Sequence, residues 1–65
     1  MPVIIINMIE GRTDKQKENL IREVTRSAAG ALGEPEKSFH IIINEVPRAN
    51  WGIEGTQFSK RKPTN

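Results

Sequence analysis

The amino-acid sequence predicts an α/β fold: a single β-α-β unit with parallel strands and a C-terminal hairpin-like segment, in a chain that assembles as an oligomer. Two apolar runs, at residues 3–9 and 39–46, flank a segment with helical periodicity. A strand, a helix of about five turns and a second strand form a βαβ unit, in which the strands run parallel and the crossover is right-handed.

The first strand is predicted from a nearly continuous β-branched run, Val3 to Ile9. Its apolar residues alternate onto both faces, which is typical of a strand covered on both sides. The dipeptide Glu10-Gly11 interrupts the run, and we expect the strand to end there.

The helix is predicted from its two ends and from its apolar stripe. Thr13 and Gln16 have the spacing of a capping box, and Asp14 places negative charge in the first turn, where the helix dipole favours it. The apolar residues with helical spacing are Leu20, Ile21, Val24, Ala28, Ala31 and Leu32. Gly33 should end the helix in the left-handed conformation, and Pro35 prevents its continuation.

The second strand, residues 39–46, should stop at Pro47. Beyond it, Trp51 and Ile53 could lie on two short strands of a small hairpin. Turn chemistry for this segment is available from Asn50, Gly52 and Gly55.

Two observations predict an oligomer of one domain, residues 1–65, with a flexible tail from about 57 to 65. A monomer of 65 residues buries only about 60% of its unfolded surface. With no Cys and one His, neither disulfides nor a metal cage can stabilise it, and no cofactor is predicted. In addition, one helix covers only one face of a two-stranded sheet, so the other face must meet another copy.

The charge pattern argues against nucleic acid and membrane partners. The net charge is only +2, from ten Lys and Arg against eight Asp and Glu. The basic run at 60–62, beside Pro63, is typical of a solvated terminus. No charged leader precedes a long apolar segment, so we expect neither a signal peptide nor a membrane span, and a cytoplasmic location.

The first candidate catalytic residue is Pro2, which directly precedes the first strand. Methionine aminopeptidases generally remove Met1 when the next residue is as small as Pro. The mature chain would then begin with a secondary amine whose position the fold determines, a candidate general base or nucleophile. Alternatively, the Met-Pro start has no catalytic role.

Three further residues are candidates for the same site, and one of them, Arg12, can join Pro2 only if subunits share it. Arg12 follows the first strand, roughly 30 Å from Pro2 in an extended chain, so only a neighbouring subunit can bring the two together. His40 begins the second strand at the same end of the sheet as Pro2. Trp51, in a Gly-flanked loop, either packs across a subunit boundary or forms the wall of a pocket.

With these residues, the chain resembles the short-chain, amino-terminal-proline members of the tautomerase superfamily, most closely the 4-oxalocrotonate tautomerase family. The resemblance runs without gaps from Pro2 to about Gly55. Its motifs are Pro2 itself and the segments 9–14, 16–24, 41–45 and 51–55.

The resemblance implies a tautomerase/MIF-like fold in a homohexamer, a trimer of dimers, that transfers a proton between the enol and keto forms of a small anionic 2-oxo or 2-hydroxy-dienoate acid. Pro2 matches the catalytic proline, Arg12 a carboxylate-binding arginine and Trp51 a pocket aromatic. His40 departs from the pattern, because the best-known enzyme has a second arginine there; an imidazole lacks the bidentate guanidinium fork. Arg48 is another cation, which nothing in the sequence places in the site.

Two alternatives remain open. A protonated Pro2 would suit acid catalysis, as in the related hydratases, dehalogenases and decarboxylases. The chain could also be a non-catalytic homo-oligomeric binding module. The N-terminus discriminates between the functions, because the Pro2 nitrogen is an amide and cannot act as a base while Met1 remains attached.

Overall fold

The computed structural model describes residues 1–61, which contain one long helix and two parallel strands, and then a small hairpin. Strand β1 is Val3–Ile9, helix α1 is Asp14–Leu32 and strand β2 is His40–Val46. Strands β1 and β2 pair in parallel, with Val3 opposite His40 and Ile9 opposite Val46. This confirms the predicted βαβ unit; β2 begins one residue later than expected, because Phe39 ends the 3₁₀ turn Glu36–Ser38.

Both ends of α1 have the local chemistry that the sequence predicts. The Gln16 amide donates to Thr13 Oγ1 at 3.1 Å, and the Thr13 amide donates to Gln16 Oε1 at 2.9 Å, which completes the capping box. Gly33 adopts the left-handed conformation, with φ 67° and ψ 31°. Near the first turn, Lys17 donates to Glu45 at 2.8 Å and joins α1 to β2; this hydrogen bond raises the pKa of Lys17.

The two faces of the sheet differ in exposure. The face that α1 covers is half-buried and carries Ile4, Ile6, Ile41 and Ile43. On the opposite face, Val3 is 53% exposed, Ile5 is 56% exposed and Ile42 is 45% exposed. Beside them, the Asn44 amide donates to Asn7 Oδ1 at 3.2 Å. A single subunit therefore leaves an apolar sheet face open, as the sequence predicts.

The predicted helix stripe is correct for Leu20, Val24 and Ala28, which are half-buried. It is wrong for Ile21, which is 39% exposed, and for the last turn, where Ala31 is exposed and Leu32 is 62% exposed. For the last turn the reason is length: a helix of 19 residues spans about 28 Å, and a strand of seven spans about 23 Å, so the last turn extends beyond the sheet. Ala29, which the stripe omitted, is buried near the returning 3₁₀ turn.

The C-terminal segment is a two-residue β-hairpin between two 3₁₀ turns. Strands β3 (Gly52–Ile53) and β4 (Thr56–Gln57) are antiparallel, and the turns are Arg48–Asn50 and Phe58–Lys60. Glu54 and Gly55 both have positive φ, 51° and 81°, as a type I′ turn requires. A hairpin is therefore present as predicted, but of the two residues expected on its strands only Ile53 lies on one; Trp51 precedes β3, and the second strand is Thr56–Gln57. Of the tail expected from about 57, the structure shows 57–61, and residues 62–65 lie outside the described part.

The subunit is extended and has little core of its own. Its radius of gyration is 14.9 Å, against about 11 Å for a compact domain of this length. It exposes 5152 Å², against about 4,200 Å² for a compact monomer of this mass. Only Ala29 and Phe39 among the apolar residues of 1–61 are buried, and each retains 8% exposure. Within the same range, no helix combines the length and apolarity needed to cross a bilayer.

Candidate active site

Pro2 and His40 lie together where the parallel sheet begins. The His40 amide donates to the Pro2 carbonyl at 3.0 Å, one step beyond the register pair Val3 and His40. Pro2 is half-buried, whereas Met1 is 86% exposed and stands clear of the sheet. The His40 side chain is exposed on the open apolar face. A chain that begins at Pro2 would thus present its amine at this edge, beside an imidazole.

Arg12 lies at the opposite end of the sheet. The Glu10 amide donates to the Val46 carbonyl at 2.9 Å, and Gly11 then turns the chain with φ 130°. Arg12 Nη1 donates to the Ile9 carbonyl at 3.1 Å, and the side chain is exposed. Since β1 spans about 23 Å, Arg12 and Pro2 of one chain do not share a site.

Trp51 also lies beyond the Arg12 end of the sheet. Its link to the end of β2 includes the 3₁₀ turn Arg48–Asn50 and is too short to return Trp51 to Pro2 of the same chain. The Trp51 amide donates to the Arg48 carbonyl at 3.3 Å, and the Trp51 carbonyl accepts from the Phe58 amide at 2.7 Å. The side chain is half-buried. One subunit thus presents Pro2 with His40 at one end and Arg12 with Trp51 at the other.

Arg48 is engaged with an aromatic ring that sequence reasoning did not single out. Its guanidinium carbon lies 4.7 Å from the centroid of the Phe58 ring, within the range of a cation–π contact. The two residues are ten positions apart and belong to no motif. They meet because the hairpin brings together the two 3₁₀ turns that carry them, so no spacing in the sequence could have signalled the pair.

Arg12 and Arg48 are among the cations of residues 1–61 that form no ion pair and are available to an anion. The four ion pairs within residues 1–61 involve cations of helix α1 alone: Lys15, Lys17, Arg22 and Arg26. Neither Arg12 nor Arg48 pairs with a carboxylate in this part of the chain. Over the same residues, no group of three or more His, Cys, Asp or Glu side chains is placed to hold a metal ion. At the sheet ends, Arg12 supplies a guanidinium and His40 an imidazole, and a chain that begins at Pro2 would add a terminal amine.

Comparison with known proteins gives the class to which this fold and these residues belong. The family model described as "Tautomerase enzyme" matches residues 2–61. A probable tautomerase of Ralstonia nicotianae is 45% identical over 62 residues, which cover 95% of this chain and 89% of the relative. The 2-hydroxymuconate tautomerase of Stutzerimonas stutzeri is 46% identical over 55 residues, covering 85% of this chain and 87% of that enzyme.

A solved structure agrees with the sequence relatives. The heterohexamer 4-oxalocrotonate tautomerase of Chloroflexus aurantiacus matches with a TM-score of 0.91 and 34% identity, over 95% of this chain and 100% of that chain. The chain belongs to the tautomerase family, as the sequence resemblance indicated, and it is an enzyme of the isomerase class.

Proposed function

We propose that this enzyme interconverts the enol and keto forms of a small 2-oxo or 2-hydroxy-dienoate acid, with Pro2 as general base once Met1 has been removed. The neutral amine abstracts a proton from the enol oxygen or from carbon, and the resulting ammonium returns it to another carbon of the conjugated system. The proton is thus conserved and no cofactor is needed. The chain's relatives include enzymes named 2-hydroxymuconate tautomerase.

The observation that carries this proposal is the hydrogen bond from the His40 amide to the Pro2 carbonyl, 3.0 Å long. It incorporates residue 2 into the parallel ladder, so an amine on that residue has a defined position and direction. General-base catalysis requires such a position, because the base must lie within hydrogen-bond distance of the proton that it removes.

We further propose a homohexamer in which each site combines Pro2 and His40 of one subunit with Arg12 and Trp51 of neighbours. The open face with Val3, Ile5 and Ile42, together with the extended shape of the subunit, supports burial against other copies. A guanidinium and an indole wall near Pro2 would both favour the uncharged amine, which is the form that acts as a base.

The proposed substrate contacts divide between the two ends of the acid. Arg12 can hold a carboxylate with two parallel hydrogen bonds, because its guanidinium is a planar fork. His40 can donate only a single hydrogen bond when neutral, to a carbonyl or enol oxygen beside the Pro2 amine. The proposed substrate is therefore an acid whose carboxylate binds at Arg12 and whose reacting oxygen lies near His40.

The test is ketonisation of 2-hydroxymuconate and of phenylenolpyruvate by wild type and by Pro2→Ala. Loss of a positioned base should lower kcat by about 100-fold or more, with residual activity from the primary amine of the variant. Intact-mass analysis should show that active wild type lacks Met1 and that any fraction retaining it is inactive. Equal rates in wild type and variant would contradict the proposal.

The pH dependence separates base from acid catalysis at the same residue. If neutral Pro2 is the base, kcat/KM rises with pH to a plateau as the amine loses its proton. A profile that falls over the same range, with hydration or decarboxylation of the substrate, would favour the protonated proline instead.

A further inference from the structure

The base of the hairpin is closed by three contacts that all involve Trp51 or its neighbours. The Arg48 carbonyl accepts the Trp51 amide at 3.3 Å, and the Trp51 carbonyl accepts the Phe58 amide at 2.7 Å. The Arg48 guanidinium then covers the Phe58 ring at 4.7 Å. The backbone of Trp51 is therefore hydrogen bonded to Arg48 and to Phe58, and the side chains of these two residues contact each other.

These contacts matter because, within one subunit, little else restrains the backbone of Trp51. Gly52 follows it directly, and the strands that continue from it have only two residues each. Isolated hairpins of this size are marginal in water. The hairpin strands contact chiefly each other and the turn Arg48–Asn50, and that turn contacts Phe58–Lys60. A fourth contact, from Gln57 Nε2 to the Ala49 carbonyl at 3.0 Å, joins the same two segments.

We propose that Arg48 is a positioning residue that holds Trp51 in place through Phe58. The Arg48 guanidinium, stacked on the Phe58 ring, keeps the turn Phe58–Lys60 against the turn Arg48–Asn50. Because the Trp51 backbone is hydrogen bonded to both turns, their relative position sets the orientation of the indole. The inference rests on the proposed function in one respect, namely that Trp51 forms a wall of the substrate pocket. The conformational part stands on the contacts alone.

The expected size of the effect follows from the exposure of Arg48. A cation–π contact at an exposed site shifts a local equilibrium by a factor of about 2 to 5. A looser Trp51 weakens binding of substrate and transition state alike, so KM should rise by about 2- to 5-fold with little change in kcat. A residue that merely stabilised the fold would leave both constants unchanged at temperatures where the variant is folded.

The experiment uses Arg48→Met, which keeps an apolar stem but removes the positive charge over the Phe58 ring, and Arg48→Lys, which keeps the charge. Phe58→Leu removes the other partner of the contact, the aromatic ring. Arg61→Met is the matched control, because it removes one arginine from the same segment. Trp51 is the only Trp and there is no Tyr, so fluorescence reports Trp51 directly. The readouts are emission maximum, acrylamide quenching, and KM and kcat on phenylenolpyruvate.

We expect a red shift and stronger quenching in Arg48→Met, a smaller change in Arg48→Lys and none in Arg61→Met. In the double variant of Arg48→Met with Phe58→Leu, fluorescence and KM should change no more than in Arg48→Met alone, because the two substitutions remove the same contact. Fluorescence and KM of Arg48→Met that match Arg61→Met would overturn the inference, as would additive effects in the double variant. If Phe58→Leu fails to fold, the comparison among Met, Lys and Arg at position 48 still decides whether Arg48 positions Trp51.

Failure of the proposed function has a different signature. In that case wild type does not ketonise the enols, or Pro2→Ala matches it, whereas the fluorescence changes at Trp51 still occur. If catalysis depends on Pro2 but Arg48→Met changes neither fluorescence nor KM, the proposed function stands and the role of Arg48 is refuted.

Discussion

At the scale of single residues, the placement of Arg12 decides how the proposed site must be built. Its guanidinium donates to the Ile9 carbonyl at the end of β1, and it has no carboxylate partner within residues 1–61. The strand separates it from Pro2 of its own chain by more than an arginine side chain can reach. Under the proposed function, a complete site needs Pro2 and Arg12 from different subunits.

This arrangement predicts complementation between two inactive variants. Pro2→Ala and Arg12→Gln should each be impaired, the second mainly through KM, and oligomers reassembled from an equal mixture should regain about a quarter of wild-type activity. The measurement is ketonisation before and after co-refolding, with Arg26→Gln, a helix-surface arginine, as control. Activity in the mixture no higher than the average of its two components would rule out sites shared in this way.

The sequence was informative about where the candidate residues lie in the fold and less informative about what surrounds them. Pro2 and His40 could be placed at one sheet edge, because parallel pairing brings together the starts of two strands. The Arg48–Phe58 contact could not be foreseen, because it depends on the register of a two-residue hairpin. Neither residue lies in a periodic pattern that would mark it as a partner of the other.

At the scale of secondary-structure elements, local signals specify the ends of α1 well, while the hairpin turn contains a conflict. The capping box and Gly33 behave as their residue types require. In the type I′ turn, however, the first central position with positive φ is Glu54, a residue with a Cβ and no compensating side-chain amide. Asn is the preferred residue there, followed by Gly as in this chain.

The conflict predicts opposite effects at two adjacent positions. Glu54→Asn should stabilise the protein by about 0.5 to 1 kcal/mol, since Asn tolerates the left-handed conformation that Glu resists. Gly55→Ala should destabilise it by about 1 kcal/mol through the backbone alone. A Cβ there would meet no atom within 4 Å, so no clash confounds the result. Thermal unfolding at fixed concentration measures both, and equal signs for the two variants would contradict the turn assignment.

At the scale of the whole molecule, the subunit exposes more surface, and more apolar surface on one face, than is expected of a protein that is stable as a monomer. It exposes 5152 Å², and the most exposed large apolar residues of its sheet, Val3, Ile5 and Ile42, lie on one face. The sequence anticipated this, because one helix can cover only one side of two strands. How many copies assemble, and in what geometry, depends on surface complementarity that no periodicity in the chain encodes.

The open apolar face predicts that a single charged substitution on it will dissociate the oligomer. Ile42→Lys replaces an apolar side chain whose 45% exposed surface is worth about 1 kcal/mol per subunit when an interface buries it, and adds a charge that would need desolvation. Light scattering should find wild type near six times the 7.3 kDa subunit mass, and the variant at a lower mass. Ser27→Lys, on the exposed surface of α1, is the control. A variant with unchanged mass would show that this face is not an interface.

The 3.0 Å hydrogen bond between the His40 amide and the Pro2 carbonyl has a consequence for the rate of the proposed reaction. Terminal residues usually fray, and ordering one residue costs about 1–2 kcal/mol of conformational entropy. Here the ladder between β1 and β2 immobilises residue 2 when the chain folds, before any substrate arrives. Substrate binding energy is not consumed in ordering the base, which for 1.4 kcal/mol amounts to about a tenfold gain in kcat/KM. The stability of the sheet and the efficiency of the catalyst are in this way coupled through a single backbone amide.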